Sequence, residues 1–190
     1  MCRRLERAGE QVRRRCRKKS LDRESKESAD HALGRSKGGF GTKFHLVTDG
    51  DAVPLAVTFT AGQVGEVTQA ESVVGQALKT LMARKRAKRR QKHKPEQVAG
   101  DKAYSARRFR DWLIGQKIEP VIPHKENEKA RHDPSVWFDR VAYRGRAVIE
   151  QCVGWLKEFR RIGTRYEKLE VNFEGMFHLA MIKRYFKLLF

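Results

Sequence analysis

The sequence predicts a mixed α/β domain, and three patterns carry that prediction. A β-hairpin pattern spans residues 42–59, a strand, a helix and a second strand follow between residues 95 and 123, and helical spacing of apolar residues dominates the C-terminal third. With 190 residues and 39% hydrophobic content, the chain is long enough for one domain with its own core. We divide it into a basic arm over residues 1–30 and a folded domain over residues 31–190.

The arm holds basic clusters, including Arg13-Arg14-Arg15-Cys16-Arg17-Lys18-Lys19, and only scattered apolar residues such as Val12 and Leu21. Neither a strand nor a helix is expected there, and the arm should stay mobile until a polyanion orders it. After Gly34-Arg35-Ser36-Lys37-Gly38-Gly39, a β-rich run from Thr42 to Thr48 meets a turn at Asp49-Gly50-Asp51. Val53, Leu55, Val57 and Phe59 then alternate, which predicts a hairpin with one buried face. The glycine-rich lead-in lacks the GK[ST] ending of a phosphate-binding loop, so Arg35 and Lys37 are read as backbone contacts to a polyanion rather than a nucleotide site.

Ala70, Val73, Val74, Ala77, Leu78, Leu81 and Met82 have helical spacing and run into a cationic loop, with eight Lys or Arg between Arg84 and Lys94. Arg84, Lys85, Arg86, Lys88, Arg89 and Arg90 are the densest part of this tract. Residues 95–105 then give a short strand ending at Asp101, followed by a helix capped at Ser105 and carrying Phe109, Trp112, Leu113 and Ile114. Glu119-Pro120-Val121-Ile122-Pro123 is the next strand. In such a parallel unit, the carboxyl end of the first strand lies on the edge where these sheets place their sites, which singles out Asp101. The plainer alternative is a turn or capping acid beside Gly100.

Residues 124–142 read as a polar loop. His124 and His132 lack a metal-ligand pattern. The next stretch, Tyr143 to Lys157, reads as one helix. Ile149, Val153 and Leu156, with Val148, Cys152, Trp155 and Phe159, form its apolar side, while Tyr143, Arg146, Glu150, Lys157 and Arg161 share a polar stripe on which Glu150 is the only acid. A solvated i,i+4 charge network is the competing reading. Beyond Arg165-Tyr166-Glu167-Lys168, a mostly apolar terminal helix should pack on the sheet.

Forty-two Lys and Arg against twenty-three Asp and Glu give a formal charge of +19 and favour a polyanionic partner. No apolar run reaches the roughly 18–20 residues that span a bilayer, and no signal-peptide core follows Met1, so the expected location is cytoplasmic, without a membrane partner. Cys2, Cys16 and Cys152 are odd in number and lack CxxC spacing. Neither a disulfide framework nor a zinc site is expected, and Cys152 is read as a small buried residue.

The spacing Tyr143, Arg146, Glu150, Lys157 resembles the Y-x2-R-x3-E-x6-K signature of a group of bacterial insertion-sequence DDE transposases. Residues 30–45 resemble the hairpin entry of these proteins, Gly100-Asp101-Lys102-Ala103-Tyr104 their second catalytic acid, and Arg165 to Lys168 the segment after their third. This resemblance implies a ribonuclease-H-like fold and metal-dependent cleavage and strand transfer at the ends of the element. Asp101 and Glu150 would be catalytic and metal-binding acids for Mg²⁺ or Mn²⁺ in a two-metal mechanism. The implied partners are double-stranded DNA, as inverted terminal repeats and target, and further copies of the chain on that DNA. Tyr143, Arg146 and Lys157 would join the basic tract in holding DNA.

In the family, the first acid ends a strand upstream of the hairpin. Asp22 has no apolar run before it, and Asp30, Asp49 and Asp51 fall too late. The first strand and its acid are therefore expected to be missing, as in a truncated or frameshifted product or a chain completed by a second one. A catalytically inactive DNA-binding remnant and a basic RNA-binding protein are the alternatives; against the latter, the aromatics sit at helical apolar positions and no RNP-like or KH-like motif is present.

Overall fold

The computed structural model of the chain describes residues 4–14, 31–36, 39–88, 94–125 and 138–189. Its described strands are β1 (Arg4–Arg14), β2 (Gly34–Ser36), β3 (Gly39–Thr48), β4 (Pro54–Ala61), β5 (Gln97–Ala99), β6 (Glu119–Val121) and β7 (Thr164–Arg165). They form one sheet in the order β2-β3-β1-β5-β6, with β4 on β3 and β7 on β1. β2 runs antiparallel to β3, whereas β5 and β7 are parallel to β1 and β6 is parallel to β5. The helices are α1 (Ala70–Lys88), α2 (Arg107–Gly115), α3 (Arg140–Arg144), α4 (Ala147–Glu158), α5 (Arg160–Gly163) and α6 (Glu170–Leu189). The fold is thus the mixed α/β class expected.

The strand β1 corrects the expectation of an unstructured arm with no strand ahead of the hairpin. It lies inside the strand order, between β3 and β5. A strand with neighbours on both sides satisfies its backbone groups by pairing, so alternation of its side chains is a weak guide to its existence. Residues 15–30, including Asp22 and Asp30, lie outside the described residues, as do Lys37, Arg89, Arg90 and His132.

Two compact units divide the chain. The first comprises residues 1–8, 45–58 and 65–152, and the second residues 9–44, 59–64 and 153–190.

In the first unit, one face of α1 supplies Ala70, Val73, Val74, Ala77, Leu78 and Leu81 to a core shared with Val47, Leu55, Val98, Phe109, Leu113, Ile118 and Ile122. This is the predicted stripe, although Met82 is 59% exposed. The helix also runs on through Lys88, so Arg84 to Lys88 are helical where a loop was expected. The strand, helix and strand of β5, α2 and β6 form as predicted, with the two strands parallel. Ser105 is buried and does not cap α2, whose N-cap is Ala106 without a side-chain bond. The hairpin turn is held by Asp49, which accepts hydrogen bonds from the backbone N–H groups of Asp51 (3.0 Å) and Val53 (2.9 Å). Burial in β3 and β4 does not alternate: most residues of both strands are buried, so the hairpin is covered on both faces rather than one.

The second unit is built on aromatic packing and one buried cation. Phe173 and Phe177 of α6 meet Phe44 of β3 and Phe59 of β4 with ring centroids 4.9–5.5 Å apart, so the terminal helix packs on the sheet as expected. Arg165 in β7 is 1% exposed. Its guanidinium donates to Thr42 Oγ1, to the carbonyl of Glu167 (2.9 Å) and to that of Lys168 (3.0 Å), and lies 5.0 Å from the centroid of Phe173. Gly163 permits the approach to this strand: a Cβ there would lie 2.8 Å from the backbone oxygen of Lys157.

Two outcomes follow from this packing. Arg165→Ala strands two carbonyls and a hydroxyl and should lower stability by about 3–5 kcal/mol, with Arg165→Lys intermediate because an ammonium cannot reproduce the planar fork. Urea unfolding measures both, and a loss below about 1 kcal/mol for the alanine variant would show that the guanidinium is not structural. The second outcome concerns Glu170, whose carboxyl is raised from its ordinary 4.5 by burial and by Glu174, against the opposing pull of Arg165. Its contribution to stability is complete below the unfolded value and is lost as pH rises through the folded one. Glu170→Gln should therefore gain on the parent chain as pH rises from about 4 to about 7, and a pH-independent difference would show that the shift is absent.

Candidate active site

Asp101 owes its position to β5. The strand ends at Ala99, the Gly100 N–H donates to the Val121 carbonyl across the parallel pair (3.2 Å), and Asp101 follows in extended conformation before a single 3₁₀ turn, Lys102–Tyr104. A side chain at Gly100 would press on Ile122 at 3.3 Å, so glycine lets the strands close up beside the acid. Asp101 is exposed, and its carboxylate accepts from the Lys102 N–H. The capping role weighed as the plainer reading is thus real, and it holds the carboxylate at the strand end.

The single helix expected from Tyr143 to Lys157 is two. α3 ends at Arg144, Gly145 and Arg146 form a turn, and α4 starts at Ala147. Local caps explain the break: Asp139 accepts from the Ala142 N–H at 2.7 Å to start α3, and Gly145 closes it. The expected faces survive on α4. Ile149, Cys152, Val153 and Leu156 are buried, whereas Glu150 and Lys157 are exposed.

Contacts link this segment to the strand carrying Asp101. Ala142 packs with Ala99 of β5 and Val121 of β6, and Phe138 and Tyr143 lie against this cluster. The Arg146 guanidinium stands 5.6 Å from the Tyr143 ring centroid and pairs with Glu150 Oε1 at 2.7 Å. Tyr143, Arg146 and Glu150 therefore form a continuous chain of contacts leading back to the strand that precedes Asp101. Lys157 is exposed in the last turn of α4 and belongs to the second unit. Arg35 is also exposed there, and Arg84, Lys85, Arg86 and Lys88 lie on the C-terminal turns of α1.

Asp101 and Glu150 are exposed carboxylates, the ligand type that suits Mg²⁺ or Mn²⁺, ions that keep several waters and take one or two protein carboxylates. Among the described residues no three His, Cys, Asp or Glu lie together as a metal site. Neighbouring β1, which sequence patterning passed over, pairs in parallel with β5. Glu6 is in register with Ala99, two residues ahead of Asp101.

Fold and residues together define an α/β protein with an acid at the carboxyl end of a parallel strand, a second acid on a nearby helical segment, and a large excess of cations. A family profile described as "Transposase DDE domain" matches residues 10–182, and the chain belongs to that family. It is 31% identical over 128 residues to a putative transposase for insertion sequence element IS402 of Burkholderia cepacia, covering 67% of this chain and 54% of that protein. It is also 31% identical over 139 residues to a putative transposase for insertion sequence element IS6501 of Brucella ovis, covering 73% of this chain and 93% of that one. The chain thus matches about half the length of the first relative and nearly all of the second. Similar solved structures include the catalytic domain of Mos1 mariner transposase, at 11% identity and a TM-score of 0.42 over 86% of this chain and 84% of that one. Mos1 transposase in a paired-end complex with left transposon end gives 14% identity and a TM-score of 0.37, over 87% and 56%. The ribonuclease-H-like class of α/β fold is the one expected of this family. No described helix is long and apolar enough to cross a membrane.

Proposed function

We propose that this chain binds double-stranded DNA and carries out metal-dependent phosphodiester cleavage and strand transfer at the ends of an insertion sequence. The observation that supports this most is the run of contacts from Ala99 and Ala142 through Tyr143 and Arg146 to Glu150. It ties the helical acid to the strand ending in the other acid.

Asp101 and Glu150 would hold Mg²⁺ or Mn²⁺. When bound, the metal lowers the pKa of a coordinated water or 3′ hydroxyl and offsets charge on the leaving oxygen. The protein residues divide the remaining work. Asp101 is kept at the strand end by its own capping bond, so its carboxylate needs little reordering to bind. Arg146, stacked on Tyr143, is positioned to leave Glu150 for a phosphate oxygen, and Lys157 adds a second cation for the backbone. The tract from Arg84 to Arg90, with Arg35 and Lys37, would supply sequence-independent affinity.

A second reading, a DNA-binding remnant without cleavage, is favoured by one observation: no three acidic, His or Cys side chains cluster among the described residues. One assay separates the two. Mn²⁺-dependent nicking of supercoiled plasmid by the purified chain is expected, with a roughly 100-fold or greater loss in Asp101→Asn and Glu150→Gln while DNA binding is retained. Tight binding by the parent chain without nicking would establish the remnant. Changing Lys88, Arg89 and Arg90 together to Ala should weaken DNA binding and flatten its salt dependence by up to about three in the log–log slope. An unchanged slope would mean that the tract does not touch DNA.

A further inference from the structure

β6 closes one end of the described strand order, and its hydrogen bonds show which way its backbone faces. The Glu119 N–H donates to the Glu96 carbonyl (2.8 Å) and the Val121 carbonyl accepts from the Gly100 N–H (3.2 Å), so both residues turn toward β5. Successive residues of an extended strand face opposite ways, so Pro120 and Ile122 direct their backbone groups outward, where no described strand lies. Proline suits that side because it has no N–H to leave unpaired. The Ile122 carbonyl still needs a donor.

Arg110 of α2 supplies one. Its guanidinium donates from Nη2 to the Ile122 carbonyl at 2.7 Å, a half-buried contact between the helix and the residue that follows β6. Two further features carry this bond to the candidate site. The buried Ile122 side chain adjoins Gly100, with Cγ1 3.3 Å from where a Cβ would stand on the glycine. The Arg110 N–H itself donates to the Ala106 carbonyl (3.2 Å), at the start of α2, and the turn leading there from Asp101 is closed by the Tyr104 N–H on the Asp101 carbonyl (2.9 Å). These contacts form a ring. β5 leads through Gly100 and Asp101 into α2, Arg110 returns from α2 to the end of β6, and β6 is bonded to β5 at Gly100. Asp101 is an exposed member of that ring.

We propose that Arg110 is a positioning residue for Asp101, tying the open side of β6 to α2 so that the strand end beside the acid cannot splay. The assignment deepens the proposed function and rests on the metal-binding role given there to Asp101. Gly100 has no side chain with which to hold its place, and depends on its bond to Val121 and on Ile122 packed beside it. Without a donor, the Ile122 carbonyl turns toward water and draws Ile122 away from the glycine. An acid on a loosened strand end must be ordered each time it takes up an ion, which costs metal affinity more than it costs the rate of the loaded site. Arg110 acts through Ile122 and Gly100, without touching the ion.

Two variants of the full chain separate this role from a general loss of stability. Arg110→Met keeps an aliphatic stem without the donors, and Arg110→Lys restores one donor for the one carbonyl. Native-state amide exchange needs no activity. In Arg110→Met the Gly100 and Lys102 amides should exchange about tenfold faster than in the parent, while the Asp49 amide of the hairpin turn stays within about twofold, and Arg110→Lys should recover most of the protection. In the plasmid-nicking assay, Arg110→Met should raise the Mn²⁺ concentration for half-maximal rate by about tenfold, with the rate at saturating Mn²⁺ within about threefold of the parent. Unchanged exchange at Gly100 and Lys102, or faster exchange there with an unchanged Mn²⁺ requirement, overturns the proposal. Equal acceleration at Asp49 also overturns it, since the substitution would then merely weaken the fold. A parent chain that does not nick overturns the functional reading instead, and the exchange rates alone then decide whether Arg110 holds the strand end.

Discussion

A buried guanidinium holds the second unit together, and its demands constrain everything around it. Taking a charge out of water is expensive unless its donors are matched, and Arg165 meets that requirement with acceptors from three places: Thr42 on β3 and the carbonyls of Glu167 and Lys168. Those two carbonyls are thereby held before α6 begins, and the stack on Phe173 fixes the first turn of that helix against the aromatic cluster. Thr42 in turn donates to the Ala32 carbonyl at 2.8 Å. One side chain thus ties the hairpin entry, the short strand β7 and the terminal helix into a single arrangement. Apolar packing alone would tolerate sliding of α6; a planar fork with fixed acceptors does not.

The first unit is organised differently. Its largely apolar core also buries His45, Thr48 and Ser105, Asp49 holds the hairpin turn, and a further polar anchor lies at the end of β5. There Gly100 allows close strand pairing and Asp101 spends one acceptor on its own turn. β5 and β6 are only three residues each, so Asp101, itself exposed, lies one residue beyond Gly100, whose position adjoins the buried Ile122 and Tyr104. Under the proposed function, an exposed carboxylate anchored by its own turn would suit a hydrated divalent ion.

Much of this was legible in the sequence, and the failures have physical causes. The hairpin, the strand–helix–strand unit and the α1 stripe follow from periodicity, because burial of one helix face leaves a regular pattern. The strand β1 left none. Its backbone pairs with β3 and β5 regardless of whether Arg4 to Arg14 alternate, and a reading based on side-chain pattern took it for an arm. The break at Gly145 was hidden because the spacing of Tyr143, Arg146 and Glu150 does not distinguish one continuous helix from two short ones joined at a turn. Arg165 looked like one more cation among forty-two Lys and Arg. Nothing local to Thr164-Arg165-Tyr166 announces that its acceptors come from residues 42, 167 and 168, since the first of these is contributed by a strand more than a hundred residues away.

The Arg146–Glu150 pair bears on what the segment is for. As a helix-stabilising feature it is poorly arranged: arginine precedes glutamate, the weaker of the two i,i+4 orientations, and the cation stands just ahead of the N-terminus of α4, where the dipole disfavours it. With the Glu150 side chain 61% exposed, such a pair contributes only a few tenths of a kcal/mol. Stability therefore does not account for a cation at this place. What the geometry does achieve is to keep Arg146 over Tyr143 while leaving its link to Glu150 easy to open, so that the exchange of a carboxylate for a phosphate oxygen requires no repacking. If the segment binds DNA as proposed, a weak ion pair beside a ring that restrains the guanidinium would leave Arg146 available to a phosphate oxygen.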